Sequence, residues 1–129
     1  MQDRRQAEIE LLRHKYGELE VGPNLDWVLF KAFPVPPGWS TKLTEMLVMI
    51  PQGYPLTPPD NFYTDNDLFL SGGGEPGNTS RGQNHAGRQW RQFSYHVEAG
   101  DWQPHADPFR GHNLLTFLAG VAKRLGEPN

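Results

Sequence analysis

From Leu114 to Leu125, apolar residues recur at helical spacing (Leu114, Leu115, Phe117, Leu118, Val121, Ala122, Leu125) and the run ends at Gly126, so one face of a helix must be buried. That stripe is core packing and needs no ligand to explain it. Asp107-Pro108 supplies a cap and a residue suited to the first turn, which predicts that the helix starts there. A second helix is predicted over Asp3–Tyr16, with Ala7, Ile9, Leu11, Leu12 and Tyr16 set among charges, Asp3 where a cap belongs and Gly17 as the stop. Its Arg4, Arg5, Arg13 and Lys15 offer either a basic surface for a partner or an ordinary solvated face.

Between the helices the pattern changes to that of strands. Leu19–Val21 and Asp26–Phe33 are rich in β-branched and aromatic residues and flank Gly22-Pro23-Asn24, a turn signal. Pro34, Pro36 and Pro37 remove backbone donors and stop pairing, and Thr44–Ile50 resumes a strand whose closing residues are all apolar, as a strand covered on both faces would be. Pro51–Asp60 is stiffened by its prolines and leads into a short strand at Asn61–Thr64. The expectation is an α+β fold: N-terminal helix, four-stranded antiparallel meander, long loop, C-terminal helix. That loop, residues 65–92, carries Gly72, Gly73, Gly74, Gly77, Gly82 and Gly87 with little to bury, and is expected to be irregular and to form a flexible wall beside an active site. It lacks the Gly-x-x-x-x-Gly-Lys-Ser/Thr order of a nucleotide loop.

Composition narrows the chemistry. The 129 residues suit one domain, 1–129, and contain no cysteine, which excludes a disulfide scaffold, a thiolate metal site and a thiol nucleophile. A formal charge of −3 argues against a nucleic-acid partner. The longest apolar run, Met46–Ile50, is too short to cross a bilayer and the N-terminus has no apolar leader, so the expected location is the cytoplasm, without membrane association. No cofactor is expected. His105 and His112 with Asp107 between them lack the spacing of a compact ligand pair, so no metal is expected.

The stretch Phe93–Pro104 gathers a hydroxyl, an imidazole and an indole. In an extended segment Ser94 and His96 share a face with Tyr95 opposite, so His96 is the first candidate for a base beside a Ser94 nucleophile; a histidine capping a surface turn is the plain alternative. Ser94, His96 and Asp101 carry the residue types of a hydrolase triad without its Gly-x-Ser-x-Gly elbow.

Tyr54-Pro55, then Pro58-Pro59, then the aromatic pair Phe62-Tyr63, with Trp102 and Pro104 eight and ten residues beyond Ser94, occur in an order that resembles the ubiquitin-conjugating enzymes (UBC fold), specifically their divergent bacterial branch. The resemblance spans nearly the whole chain and aligns Ser94 with the family's catalytic cysteine. Three departures stand out: the serine, a His-Pro-Asn element reduced to His85-Ala86-Gly87, and the absence of the family's last two helices.

The resemblance implies an acyltransferase that accepts the C-terminus of a ubiquitin-like protein from an activating enzyme, here on Ser94 as an oxyester, and passes it to an amine of a protein substrate. An alkyl hydroxyl needs a base, which His96 or His85 would supply. Asn84 is the candidate oxyanion donor, and Tyr54, Trp90 and Trp102 are candidates for the channel that receives the modifier's tail, with packing as the alternative for the two tryptophans. The activating enzyme would dock through Arg4, Arg5, Arg13 and Lys15. Two further readings stay open: an inactive module that only binds a ubiquitin-like protein, and an engineered serine that traps a thioester-forming enzyme.

Overall fold

A computed structural model describes residues 3–127. The first helix, α1, covers Asp3–Tyr16 and is closed by Gly17, whose φ of +84° and N–H bond to the Arg13 carbonyl (2.9 Å) form the left-handed stop that glycine favours. The cap expected of Asp3 lies outside the described side chains. Strands β1 (Leu19–Val21), β2 (Trp27–Pro34), β3 (Leu43–Met49) and β4 (Phe62–Asp65) form the antiparallel meander, each pairing with the next. The β1–β2 turn is closed by Leu25 N–H on the Gly22 carbonyl (2.9 Å), with Pro23 at its first corner.

The sheet has six strands, not four. Residues 65–92, expected as one long irregular loop, contain β5 (Thr79–His85) and most of β6 (Arg88–Phe93), a hairpin that gives the order β1-β2-β3-β4-β6-β5. Its turn residues Ala86 and Gly87 both have positive φ (49° and 79°), as a tight two-residue hairpin turn requires. β5 buries almost nothing and forms the sheet edge. A register shift between Ser80 and Gln83, with Gly82 at φ +77°, bends that edge out of line with any further strand.

Alternation along the strands sorts the core. Val28, Phe30, Met46, Val48, Phe62 and Phe93 face both helices, while Leu29, Leu47, Tyr63 and Trp90 form a smaller cluster on the opposite face. The second helix, α2, covers Leu114–Leu125 and ends at Gly126 as expected, but its cap is Asn113, not Asp107. Asn113 and Thr116 form a reciprocal capping box, whereas Asp107 closes a separate turn by accepting the Phe109 and Arg110 amides through its carboxylate and carbonyl.

Gly120 lets α2 approach Tyr95, since a Cβ built there would stand 2.0 Å from the Tyr95 hydroxyl oxygen. Gly120→Ala gains about 0.8–1.0 kcal/mol of helix propensity, yet the expected result is a net loss of about 1–3 kcal/mol from overpacking. Adding Tyr95→Phe leaves the ring's Cζ at 3.2 Å from that Cβ and should recover much of the loss in thermal melts.

Burial raises the pKa of Tyr16, Tyr54, Tyr63 and Tyr95 above the ordinary 10.0, Tyr54 most of all because the Glu8 carboxylate also accepts its hydroxyl proton. A raised folded-state value adds stability that is complete below pH 10 and lost as the pH climbs, because only the unfolded chain then ionises these groups freely. Urea midpoints should therefore hold level up to about pH 9 and fall beyond about pH 10, less steeply in Tyr54→Phe.

Candidate active site

Ser94 is the first residue after β6. Its N–H donates to the Asn78 carbonyl (3.0 Å), which continues the β5–β6 ladder by one pair, and its side chain is exposed. Asn61, at φ +62°, then grips the next residue from both sides: its N–H donates to the Tyr95 carbonyl (2.7 Å) and its Oδ1 accepts the Tyr95 N–H (3.1 Å). That clamp sends the Tyr95 ring inward, edge-on to Phe62 and Phe117, and leaves Ser94 and His96 outside.

His96 Nδ1 is hydrogen-bonded to Asp60 Oδ1. An ionised carboxylate only accepts, so Nδ1 carries the proton and a neutral His96 presents Nε2 as a base. In the sequence Asp101 stands only as a residue type of a hydrolase triad; the acidic partner of His96 is Asp60, which ends the Pro58-Pro59 turn 36 residues away in sequence. No hydrogen bond joins the Ser94 hydroxyl to either imidazole nitrogen of His96 among the described residues.

His85 and Asn84 do not belong to this site. They pair with Arg88 and Gln89 at the tip of the hairpin, whereas Ser94 follows the far end of the same strand. At about 3.3 Å per residue the separation is about 15–20 Å, too far for a base or an oxyanion donor. His85 packs on Tyr63 (4.5 Å between rings), and its carbonyl accepts the Trp90 indole N–H (2.9 Å). The asparagine that does stand opposite Ser94 is Asn78, exposed and at φ +57°.

Of the three channel candidates Trp102 lines a surface cleft, one that Ser94 itself does not line. The cleft, of about 250 Å³, lies between residues 95–102 and the start of α2 and is shared with His96, Glu98, Asp101 and His112. Its indole N–H is fixed on the Pro55 carbonyl (2.7 Å) and its ring stacks on His112 at 5.4 Å. Trp90 is fully buried on the opposite face of the sheet beneath Arg88, whose guanidinium lies 3.8 Å from the ring centroid. Tyr54 is buried and spends its hydroxyl on Glu8. Its peptide bond to Pro55 is cis.

The basic surface expected on α1 is also reduced. Arg4 turns inward to Glu8 and to the carbonyls of His105 and His112, and Arg5 donates to the Leu25 and Pro51 carbonyls (3.1 and 3.0 Å). Arg13 and Lys15 are left exposed. His105 and His112 each use Nδ1 to accept a backbone amide of their own loop, from Asp107 and Gln103.

A family model for prokaryotic E2 family E matches residues 6–127. The chain belongs to that family. Membership in prokaryotic E2 family E gives it a conjugating-enzyme-like role, with a ubiquitin-like protein and an activating enzyme as its general class of partners. The two helices on an antiparallel sheet are consistent with an E2-like fold. Searches among curated proteins and among solved structures found no match. No helix among the described residues is long and apolar enough to cross a membrane.

Proposed function

We propose that this E2-family protein is the conjugating enzyme of a bacterial ubiquitination-like pathway, one UBC-fold unit over 1–129 acting in the cytoplasm, and that it carries its modifier on Ser94 as an oxyester. Ser94 Oγ attacks the thioester carbonyl joining the modifier's terminal residue to the activating enzyme. His96 Nε2 takes the hydroxyl proton and returns it to the departing thiolate. An amine of the protein substrate then attacks the ester carbonyl, forming an amide and releasing Ser94, which recovers a proton.

The observation that carries this reading is an exposed Ser94 hydroxyl two residues from an imidazole whose Nδ1 is held by a carboxylate. Asn78, exposed and joined through its carbonyl to the Ser94 N–H, takes the oxyanion role first expected of Asn84. Trp102 walls the path of the modifier's tail, and Arg13 and Lys15 remain on α1 to meet the activating enzyme.

The test mixes the protein with its activating enzyme, ATP and the ubiquitin-like protein. A covalent adduct that survives thiol reductant, breaks in alkali and is lost in Ser94→Ala supports the proposal. A Ser94→Cys variant that alone forms an adduct, one cleaved by reductant, would instead mark the serine as a replacement for a natural cysteine. The missing Ser94–His96 hydrogen bond favours a second reading, a docking module without chemistry, although catalytic hydrogen bonds are often long before substrate binds. No adduct on the protein while the activating enzyme is itself loaded would establish that second reading.

A further inference from the structure

Arg91 is the one arginine of β6 that points into the core, 1% exposed, and its Nε and Nη2 are buried without a hydrogen-bond partner. Its counter-charge is Glu75, whose Oε2 lies 2.7 Å from Nη2 but out of line with its N–H bonds, so the contact is an ion pair and not a hydrogen bond. Arg81 reaches the same carboxylate at 3.9 Å, and both guanidinium groups lie about 5 Å from the Phe69 ring centroid. A buried charge so incompletely satisfied is costly, and an apolar residue of similar volume would cost the fold less.

What the charge holds is the glycine-rich strap 71–78. A side chain added at Gly72 or Gly73 would meet nothing within 4 Å; backbone bonds from Ser71 to Gly38 and among Leu70, Gly73 and Gly74 hold the first half of the strap, Pro76 is buried, and side-chain anchors hold the half that leads to Asn78. Arg91 supplies two of them. One is Glu75; the other runs through Thr79, whose hydroxyl accepts from Arg91 Nη1 (2.9 Å) and donates to the Pro76 carbonyl (3.0 Å). Arg124 adds a third at the Gly77 carbonyl (2.8 Å). The next residue is Asn78, whose carbonyl takes the Ser94 N–H.

We propose that Glu75 and Arg91 are positioning residues for Ser94: their ion pair pins the strap so that Asn78 stays in register opposite the nucleophile. The proposal rests on the reading of Ser94 as the acyl acceptor. Neither Glu75 nor Arg91 touches the acyl group, and because Glu75 is exposed its change to glutamine opens no cavity and removes only the counter-charge of Arg91.

Two readouts test it on the full chain. In Glu75→Gln the Ser94 amide should exchange with deuterium about tenfold faster, while the amides of Phe30 and Met46 in the sheet centre keep their rates. Adduct formation should slow by a similar factor through kcat, with KM for the loaded activating enzyme unchanged. Unchanged Ser94 protection, or faster exchange with an unchanged kcat, overturns the positioning role while leaving the nucleophile standing. If the unaltered protein forms no adduct at all, the reading of Ser94 fails first and the positioning role with it.

Discussion

Changing Glu8 to alanine is expected to lower the unfolding free energy by about 3–5 kcal/mol, the cost of breaking a buried, hydrogen-bonded ion pair from one side. Glu8 is 1% exposed on α1 and joins three parts of the molecule. Oε2 accepts from Arg4 Nε (2.6 Å), while Oε1 accepts the Tyr54 hydroxyl and the Leu114 N–H (2.7 Å). Leu114 opens α2, so its amide is one of the donors a helix cannot satisfy internally, and the carboxylate sits where the helix dipole favours negative charge. Alanine would leave that amide and the Tyr54 hydroxyl without their acceptor and take the counter-charge from Arg4, which keeps only the His105 and His112 carbonyls. Small domains have about 5–15 kcal/mol in total, so the variant should unfold at far lower urea. Glu8→Gln keeps an acceptor for Tyr54 and Leu114 and loses only the charge facing Arg4, so its loss should be smaller, about 1–3 kcal/mol. A loss below about 1 kcal/mol in Glu8→Ala would show that the two helices are held together by apolar contacts alone.

The second large effect is on chemistry. His96→Ala is expected to slow adduct formation by about 10²–10⁴-fold, the usual worth of a positioned general base, without changing the thermal midpoint, because His96 is exposed. Asp60→Asn should give a smaller loss in the same direction, since the imidazole stays but is no longer held in the tautomer that leaves Nε2 free. His85→Ala, at the hairpin tip, should leave the rate unaltered. A His96→Ala rate within about twofold of the unaltered protein would mean that no imidazole serves Ser94.

Elements with a strong hydrophobic period were readable from the chain. The apolar stripe of α2 is the clear case; α1 is marked instead by its stop at Gly17, and the first four strands by aromatic and β-branched runs between turn residues, with β2 and β3 buried on both faces. The β5–β6 hairpin was not readable. Thr79–His85 has no large apolar residue, since as an edge strand it takes its shape from pairing with β6, and the buried Arg91 disguises β6 as polar chain. Two segments near α2 carry capping residues, and only packing chooses Asn113 over Asp107.

The site divides in the same way. The alternation of Ser94, Tyr95 and His96 follows from an extended backbone, and the structure keeps it. Asn78 reaches the Ser94 amide, Asp60 reaches His96 and Glu75 reaches Arg91 across tertiary folding, where no spacing in the chain announces them. Arg4 and Arg5 looked like surface charge because a solvated guanidinium and one bound to buried carbonyls leave the same trace in a sequence.

Where the modifier sits after the first transfer is the measurement that bears most directly on this account. Trypsin cuts after Arg91 and Arg110, releasing Gln92–Arg110, a peptide that carries Ser94 and contains no lysine. Mass spectrometry of the reductant-treated adduct should find the modifier's C-terminal remnant on Ser94 within that peptide, and mild alkali should remove it. A remnant found only on Lys15, Lys31, Lys42 or Lys123 would contradict a serine-borne acyl intermediate.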